Sequence, residues 1–258
     1  MRPCQGLDPS SILGIRSRLY MIEDFNNPDN FTCYPLWKNT ERAFLSNDTD
    51  TVSNPTFNEA VSYKINAQGF RGEDFNNVEL ITLGCSMTFG VGLNQERIWP
   101  SIVSNSLSLS LANISKPSGS PDTCFRFASY WVPKLKPKYL VYLQPPPGRF
   151  EILKSKTFSR ERDPGIFTVD AYKQTRDYYE IYRSWLSNDL NNELSYNKNY
   201  LAIKQLCYEN NIHFLYYSAI DYDKTNPLDC ARDGIHPGIR PSEVFAQKVI
   251  NDIRGFIK

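Results

Sequence analysis

Ser86, Asp233 and His236 are the residues of this chain whose types and surroundings best support chemistry. Ser86 lies in Leu80-Ile-Thr-Leu-Gly-Cys-Ser-Met-Thr-Phe-Gly-Val-Gly-Leu93. The apolar run at 80–83 reads as a short buried strand, which Gly84 breaks. A strand that ends in a tight turn and feeds a helix exposes its turn residue at the carboxyl edge of a sheet, where ligands bind in open α/β folds. There the hydroxyl would stand near helix-terminal N–H groups able to stabilise an oxyanion. Ser and Gly are also the commonest turn residues, so Gly-Cys-Ser taken alone reads as a plain turn.

A serine hydroxyl is a weak nucleophile without a neighbouring base, and the chain has two histidines. His213 sits at the start of the apolar strand pattern Asn211-Ile-His-Phe-Leu-Tyr-Tyr217, where packing is its expected role. His236 sits in Arg232-Asp-Gly-Ile-His-Pro-Gly238, a polar loop punctuated by Gly and Pro before a C-terminal helix. Asp233 stands three residues before it. A compact turn brings that carboxylate to one ring nitrogen and leaves the other for a serine, the orienter, base and nucleophile of a hydrolytic triad. A turn followed by a helix start explains Asp-Gly-Ile-His equally well by itself.

Taken together, the two segments resemble the SGNH, or GDSL, hydrolase family, which has a G-D-S nucleophile block near the start and a D-x-x-H block near the end. Ser86 matches the nucleophile, and Asp233 and His236 match the last block. Cys85 replaces the acid beside the serine, which is not a triad member. Ile65-Asn-Ala-Gln-Gly-Phe-Arg-Gly72 resembles the N-x-x-G-F-R-G segment that precedes the nucleophile strand in many relatives. Leu111-Ala-Asn-Ile-Ser-Lys-Pro-Ser-Gly-Ser120 resembles the second block. The resemblance implies that the Gly119 N–H joins that of Ser86 in the oxyanion hole. The third block departs from the pattern. Its strand, 139–143, is followed by Gln144-Pro-Pro-Pro-Gly-Arg-Phe-Glu151, with no Asn to donate to the oxyanion. Arg149 or Gln144 is the candidate replacement donor and substrate-binding residue. The alternative is a rigid Pro-rich loop with Arg149 and Glu151 as a surface pair.

The elements that must position these groups alternate between strand and helix from residue 61 onward. Strands are expected at 62–65, 79–84, 109–114, 139–144 and 212–218. Helices are expected at 98–108, 123–135, 171–187, 194–210 and 241–257. Pro133 and the turn after it should stop the second of these helices. Val244, Phe245, Val249, Ile250 and Ile253 should form the apolar face of the last one. This alternation implies a parallel sheet with right-handed crossovers. The expected fold class is α/β, a three-layer α/β/α arrangement around a central, mainly parallel sheet, and the resemblance implies the flavodoxin-like SGNH hydrolase fold. Residues 63–258 should form that domain. Residues 1–62 read as an irregular segment, with one short helix at 10–22, whose aromatics pack it onto the body. Residues 151–170 read as a polar insertion over the carboxyl edge, either a lid or a solvated connection.

At 258 residues the chain suits one such domain and should bury about 70–75% of its unfolded surface. Its net charge of +1 gives no electrostatic case for nucleic acid or an anionic membrane as partner. No two of the six cysteines have C-x-x-C spacing and none has a histidine at ligand spacing, so neither a metal nor any other cofactor is expected. Cys85 and Cys207 read as buried thiols. The N-terminus lacks signal-peptide character, and no apolar run approaches the roughly 20 residues that span a bilayer. The chain is therefore expected in the cytoplasm, with its sequons at Asn30, Asn47 and Asn113 unused. The expected activity is a serine esterase that removes a short acyl group, such as O-acetyl, from a carbohydrate or small ester. The alternatives are an acyltransferase with the same triad, or a degenerate module of the same fold that binds glycan or a protein. Oligomeric state is not legible.

Overall fold

The computed structural model describes residues 41–44, 61–153, 166–170, 188–219, 222 and 229–257. The expected helices at 10–22 and 171–187, the middle of the 151–170 insertion, most of the loop before Asp229, Cys4, Cys33 and the sequons at Asn30 and Asn47 lie outside those residues.

Four strands form a parallel sheet: β3 (Leu80–Gly84), β4 (Leu111–Ser115), β5 (Tyr139–Gln144) and β8 (His213–Ser218), in the order β4-β3-β5-β8. The β3 and β5 side chains are buried throughout. That is why these strands are continuous apolar runs without a polar alternation. Among the described residues, four helices cover the sheet: α2 (Trp99–Leu107), α3 (Pro121–Leu135), α4 (Asp189–Glu209) and α5 (Ile239–Ile257). The period-2 geometry of the strands sorts their residues between two cores. Ile81, Leu83, Ala112, Ile114, Leu140 and Tyr142 point to one face, against Phe127 and Val132 of α3 and Ile203 and Cys207 of α4. Leu80, Val141, Leu143, Leu215 and Tyr217 point to the other, against Trp99 and Val103 of α2 and Phe245, Val249 and Ile253 of α5. The fold is therefore the expected three-layer α/β/α arrangement.

The chain leaves β3 for β4 on one side and then returns past β3 to β5 on the other. The strand order thus reverses at β3, and a crevice outside the carboxyl end of such a strand is where open α/β sheets bind ligands. The residue after β3 is Cys85, and Ser86 follows.

Several expectations need correction. The α3 helix ends at Leu135 as expected, but Pro133 does not stop it: the chain leaves the helix where Lys136 turns left-handed, with φ at 45°. A proline this close to a helix end removes a single i→i−4 bond, and its fixed φ is already helical. Val244 is 52% exposed, because at 100° per residue it falls outside the stripe that Phe245, Val249 and Ile253 define. Residues 1–62 are not wholly irregular: β1 (Glu41–Phe44) pairs antiparallel with β2 (Val61–Lys64), across the expected boundary at 62. The 151–170 insertion begins and ends in a hairpin. Its strands are β6 (Arg149–Leu153) and β7 (Ile166–Asp170), paired antiparallel. Glu151 is not on the surface. It takes two hydrogen bonds from Arg126 of α3, at 2.7 and 2.8 Å, with both side chains nearly buried. A surface carboxylate would gain little from pairing, whereas a buried one needs its partner.

Candidate active site

Ser86 opens α1 (Ser86–Phe89), a single helical turn that begins directly after the strand. The Cys85 carbonyl accepts the N–H groups of Thr88 and Phe89, and the Ser86 carbonyl accepts those of Gly90 and Val91. The first N–H groups of such a turn have no intrahelical acceptor, so those of Ser86 and Met87 remain for an external one. Gly84 is required here by space. A Cβ on it would lie 2.8 Å from the Leu143 carbonyl oxygen and 2.1 Å from Thr88 Oγ1. Gly90 ends the turn with φ at 80°. Ser86 is 8% exposed, and its hydroxyl contacts Cys85 Sγ at 4.0 Å.

The loop that holds Asp233 and His236 is closed on itself. The Ala231 N–H donates to the His236 carbonyl at 2.8 Å, and the Gly234 N–H to the Ala231 carbonyl at 2.9 Å. Gly238 N–H donates to Asp229 O at 2.9 Å, and Cys230 bridges to Pro237. Within this loop Asp233 Oδ1 accepts the N–H groups of Ile235 and His236, both at 3.0 Å, and Oδ2 lies 2.5 Å from His236 Nδ1. Burial pushes the Asp233 carboxyl pKa up, but the His236 ring and these two N–H donors outweigh it and hold the group below its usual value. The carboxylate therefore stays ionised and fixes the imidazole through Nδ1, and Nε2 has no hydrogen-bond partner among the described residues.

The same loop docks on the chain just downstream of Ser86. The Arg232 N–H donates to the Gly92 carbonyl at 3.1 Å. Gly92 has φ at 77°, and a Cβ there would come within 2.8 Å of Ala231 Cβ and 3.4 Å of the Asp233 nitrogen. The loop of Asp233 and His236 is thus seated on Gly92, six residues after Ser86. Among the described residues no hydrogen bond joins Ser86 Oγ to the His236 ring. Such contacts commonly tighten only when substrate is present.

The remaining candidates are placed as follows. Gly119 lies beside the nucleophile turn, since a Cβ on it would stand 3.7 Å from the Gly84 carbonyl oxygen. Its N–H is engaged, donating to the Lys116 carbonyl at 2.9 Å. Gln144, at the end of β5, is fully buried and donates through Nε2 to the Tyr196 carbonyl at 2.8 Å, a bond that ties α4 to the sheet. Arg149 lines a small cleft together with Pro121, Pro147, Phe150, Ser195 and Tyr196. Neither Gln144 nor Arg149 meets Ser86 in the described contacts. His213 packs as expected, stacked on Tyr139 and tilted against Phe256 with ring centres 5.4 and 4.7 Å away. Cys85, Cys124 and Cys207 are buried free thiols, and burial pushes the Cys207 pKa up to about 12. Asn113 of the third sequon is buried in β4.

Two residues that hold the site have no assigned role in the sequence reading. Asn113 Nδ2 donates to the Thr88 carbonyl of α1 at 3.0 Å. The buried guanidinium of Arg71, from the Gly-Phe-Arg-Gly segment, donates to carbonyls at the end of the same turn. Their acceptors are backbone oxygens, which leave no trace in residue identity.

No helix among the described residues is long and apolar enough to cross a membrane. No family model matches the chain, and no curated protein matches it. The solved structures it resembles include the psychrotrophic esterase EstA from a Pseudoalteromonas species, at 12% identity over 70% of this chain and 99% of that one, with a TM-score of 0.38. They also include a catalytic mutant of Axe2, an acetylxylan esterase from Geobacillus stearothermophilus, at 13% identity over 68% and 94%, with a TM-score of 0.35. Likenesses this distant carry no argument about the chemistry of this chain.

Proposed function

We propose that the chain is a serine ester hydrolase of the SGNH type, with Ser86 as nucleophile, His236 as general base and then acid, and Asp233 as the group that orients and charges-stabilises the imidazole. The observation that carries this reading is the Asp233–His236 pair, joined at 2.5 Å within a loop seated on the segment that leaves Ser86. His236 Nε2 takes the proton of the Ser86 hydroxyl as Oγ bonds to the acyl carbonyl carbon. The resulting oxyanion is met by the Ser86 N–H that the first turn leaves unspent. Collapse breaks the ester bond, and His236 returns the proton to the departing alcohol. Water then attacks the acyl-enzyme, again losing a proton to His236, and frees the acid and Ser86. For Gly119 to donate as well, its N–H must leave the Lys116 carbonyl when the oxyanion forms.

The proposed substrate is a short acyl ester, with O-acetyl on a carbohydrate as the favoured case. The Arg149 cleft, where Phe150 and Tyr196 stand beside polar side chains, is the proposed seat for the alcohol part. An activated fluorophosphonate followed by peptide mass mapping tests the chemistry. The reading expects a single adduct on Ser86, lost in His236→Ala; an unlabelled wild-type protein speaks against it. A second reading, a non-catalytic binding module on the same scaffold, draws on the engagement of the Gly119 N–H and of Gln144 elsewhere. It expects no label, but binding of an acetylated oligosaccharide measurable by calorimetry.

A further inference from the structure

Arg71 is 1% exposed, yet none of its hydrogen bonds goes to a carboxylate. Nη1 donates to the Phe89 and Gly90 carbonyls at 2.8 and 2.7 Å, Nη2 to the Leu93 carbonyl at 2.7 Å, and Nε to Gln95 Oε1 at 2.9 Å. The plane of the guanidinium lies near two aromatic rings, with Cζ 4.7 Å from the Tyr63 centroid and 5.4 Å from that of Phe89. Burial lowers its pKa to about 10, so it remains a cation at neutral pH.

Every one of these acceptors lies in the ten residues that follow Ser86. Phe89 and Gly90 close the turn that Ser86 opens, and a cation at that end is favoured because its carbonyls have no helical donor. Leu93 and Gln95 lie beyond Gly92, whose carbonyl receives the Arg232 N–H from the histidine loop and whose N–H donates to the Tyr63 hydroxyl at 2.7 Å. A fork with fixed geometry is needed to reach three carbonyls at once, and lysine, a point charge on a flexible stem, does not supply one. A mere core filler would not require a charge, and a helix cap would require only the first two bonds.

We infer that Arg71 is a positioning residue that fixes the distance between Ser86 and His236, by clamping the nucleophile turn and the seat of the histidine loop with one side chain. The inference rests on the triad reading above. In a triad, displacement of the reacting groups by about 1 Å costs about 10²-fold in rate, so the clamp should be visible in kcat.

The test compares wild type with Arg71→Lys and Gln95→Ala, and with Val132→Ala, a core variant in α3 that serves as the stability control. Each is measured for p-nitrophenyl acetate kcat and KM, for the rate and end-point of fluorophosphonate labelling, and for Tm. The expected result for Arg71→Lys is a kcat about 10- to 100-fold down with KM within about threefold, slow labelling, and a full labelling end-point. Gln95→Ala, which removes one of the four contacts at a half-exposed site, should fold and show a smaller loss in the same direction. Should Arg71→Lys fail to fold, Gln95→Ala decides alone. A kcat in these variants within about twofold of wild type overturns the inference. So does a fall in activity matched by an equal fall in the labelling end-point, with Val132→Ala showing the same relation between activity and Tm. A wild type that neither turns over ester nor accepts the probe removes the triad reading itself, and the inference with it.

Discussion

Arg232 N–H donates to the Gly92 carbonyl at 3.1 Å, and this bond seats the loop that carries His236 on the strand exit that carries Ser86. Residues 140 positions apart thereby share one backbone frame. The joint depends on Gly92, whose φ is 77° and whose missing Cβ leaves room for Ala231 and Arg232. Gly92→Ala should therefore destabilise the fold by about 1–3 kcal/mol, and displace the histidine loop enough to lower kcat by about 10²-fold. Thermal melting and ester turnover on the same preparation check both effects. An unchanged kcat in a destabilised variant would detach the joint from the chemistry.

Asp233 gives a pH signature. Its folded-state pKa lies below the unfolded value of 3.8, so its contribution to stability is fully present above that value and is lost as pH falls through the folded one. The Tm difference between wild type and Asp233→Asn should accordingly be largest near neutrality and shrink below about pH 4. A difference that stays constant from pH 7 to pH 2 would mean that the carboxylate is not held by its partners. At neutral pH the same variant should lose about 10⁴-fold in kcat, because the amide presents the wrong tautomer of His236.

The Arg126–Glu151 pair ties the β6–β7 hairpin to α3, and both side chains are buried, at 7% and 4% exposure. Removing one partner leaves a buried charge uncompensated. Glu151→Ala should cost about 3–5 kcal/mol by urea denaturation, whereas the double replacement by methionine should cost much less. Equal costs for the single and the double variant would contradict an interior ion pair. Thr123 Oγ1 also donates to Glu151 Oε1, at 3.1 Å, so Thr123→Val should share part of the loss.

The parts of the fold that sequence reasoning found are those that physics writes into local pattern. β3 and β5 are short apolar runs because their residues face two cores at once, whereas the edge strand β8 buries only alternate residues. The spacing of Asp233 and His236 is legible because a three-residue reach is a turn property. The β6–β7 hairpin is hard to read because each strand is only five residues long and a long polar stretch, not a two-residue turn signal, separates them. The Arg126–Glu151 pair is not legible in the sequence, because a contact across 25 residues leaves no period there. Arg71 stood in a recognisable segment, but its partners are carbonyls of Phe89, Gly90 and Leu93, and any residue supplies a carbonyl. Gly119 lies close to Gly84, yet the destination of its N–H, the Lys116 carbonyl, is a matter of backbone path that residue type does not encode.

The most direct measurement is steady-state hydrolysis of p-nitrophenyl acetate by wild type, Ser86→Ala and Cys85→Ala, each shown to be folded by melting. The account predicts turnover by wild type, a loss of several orders of magnitude in Ser86→Ala, and activity retained in Cys85→Ala. Turnover that survives in Ser86→Ala, or that vanishes in Cys85→Ala instead, would contradict the assignment of Ser86 as the nucleophile.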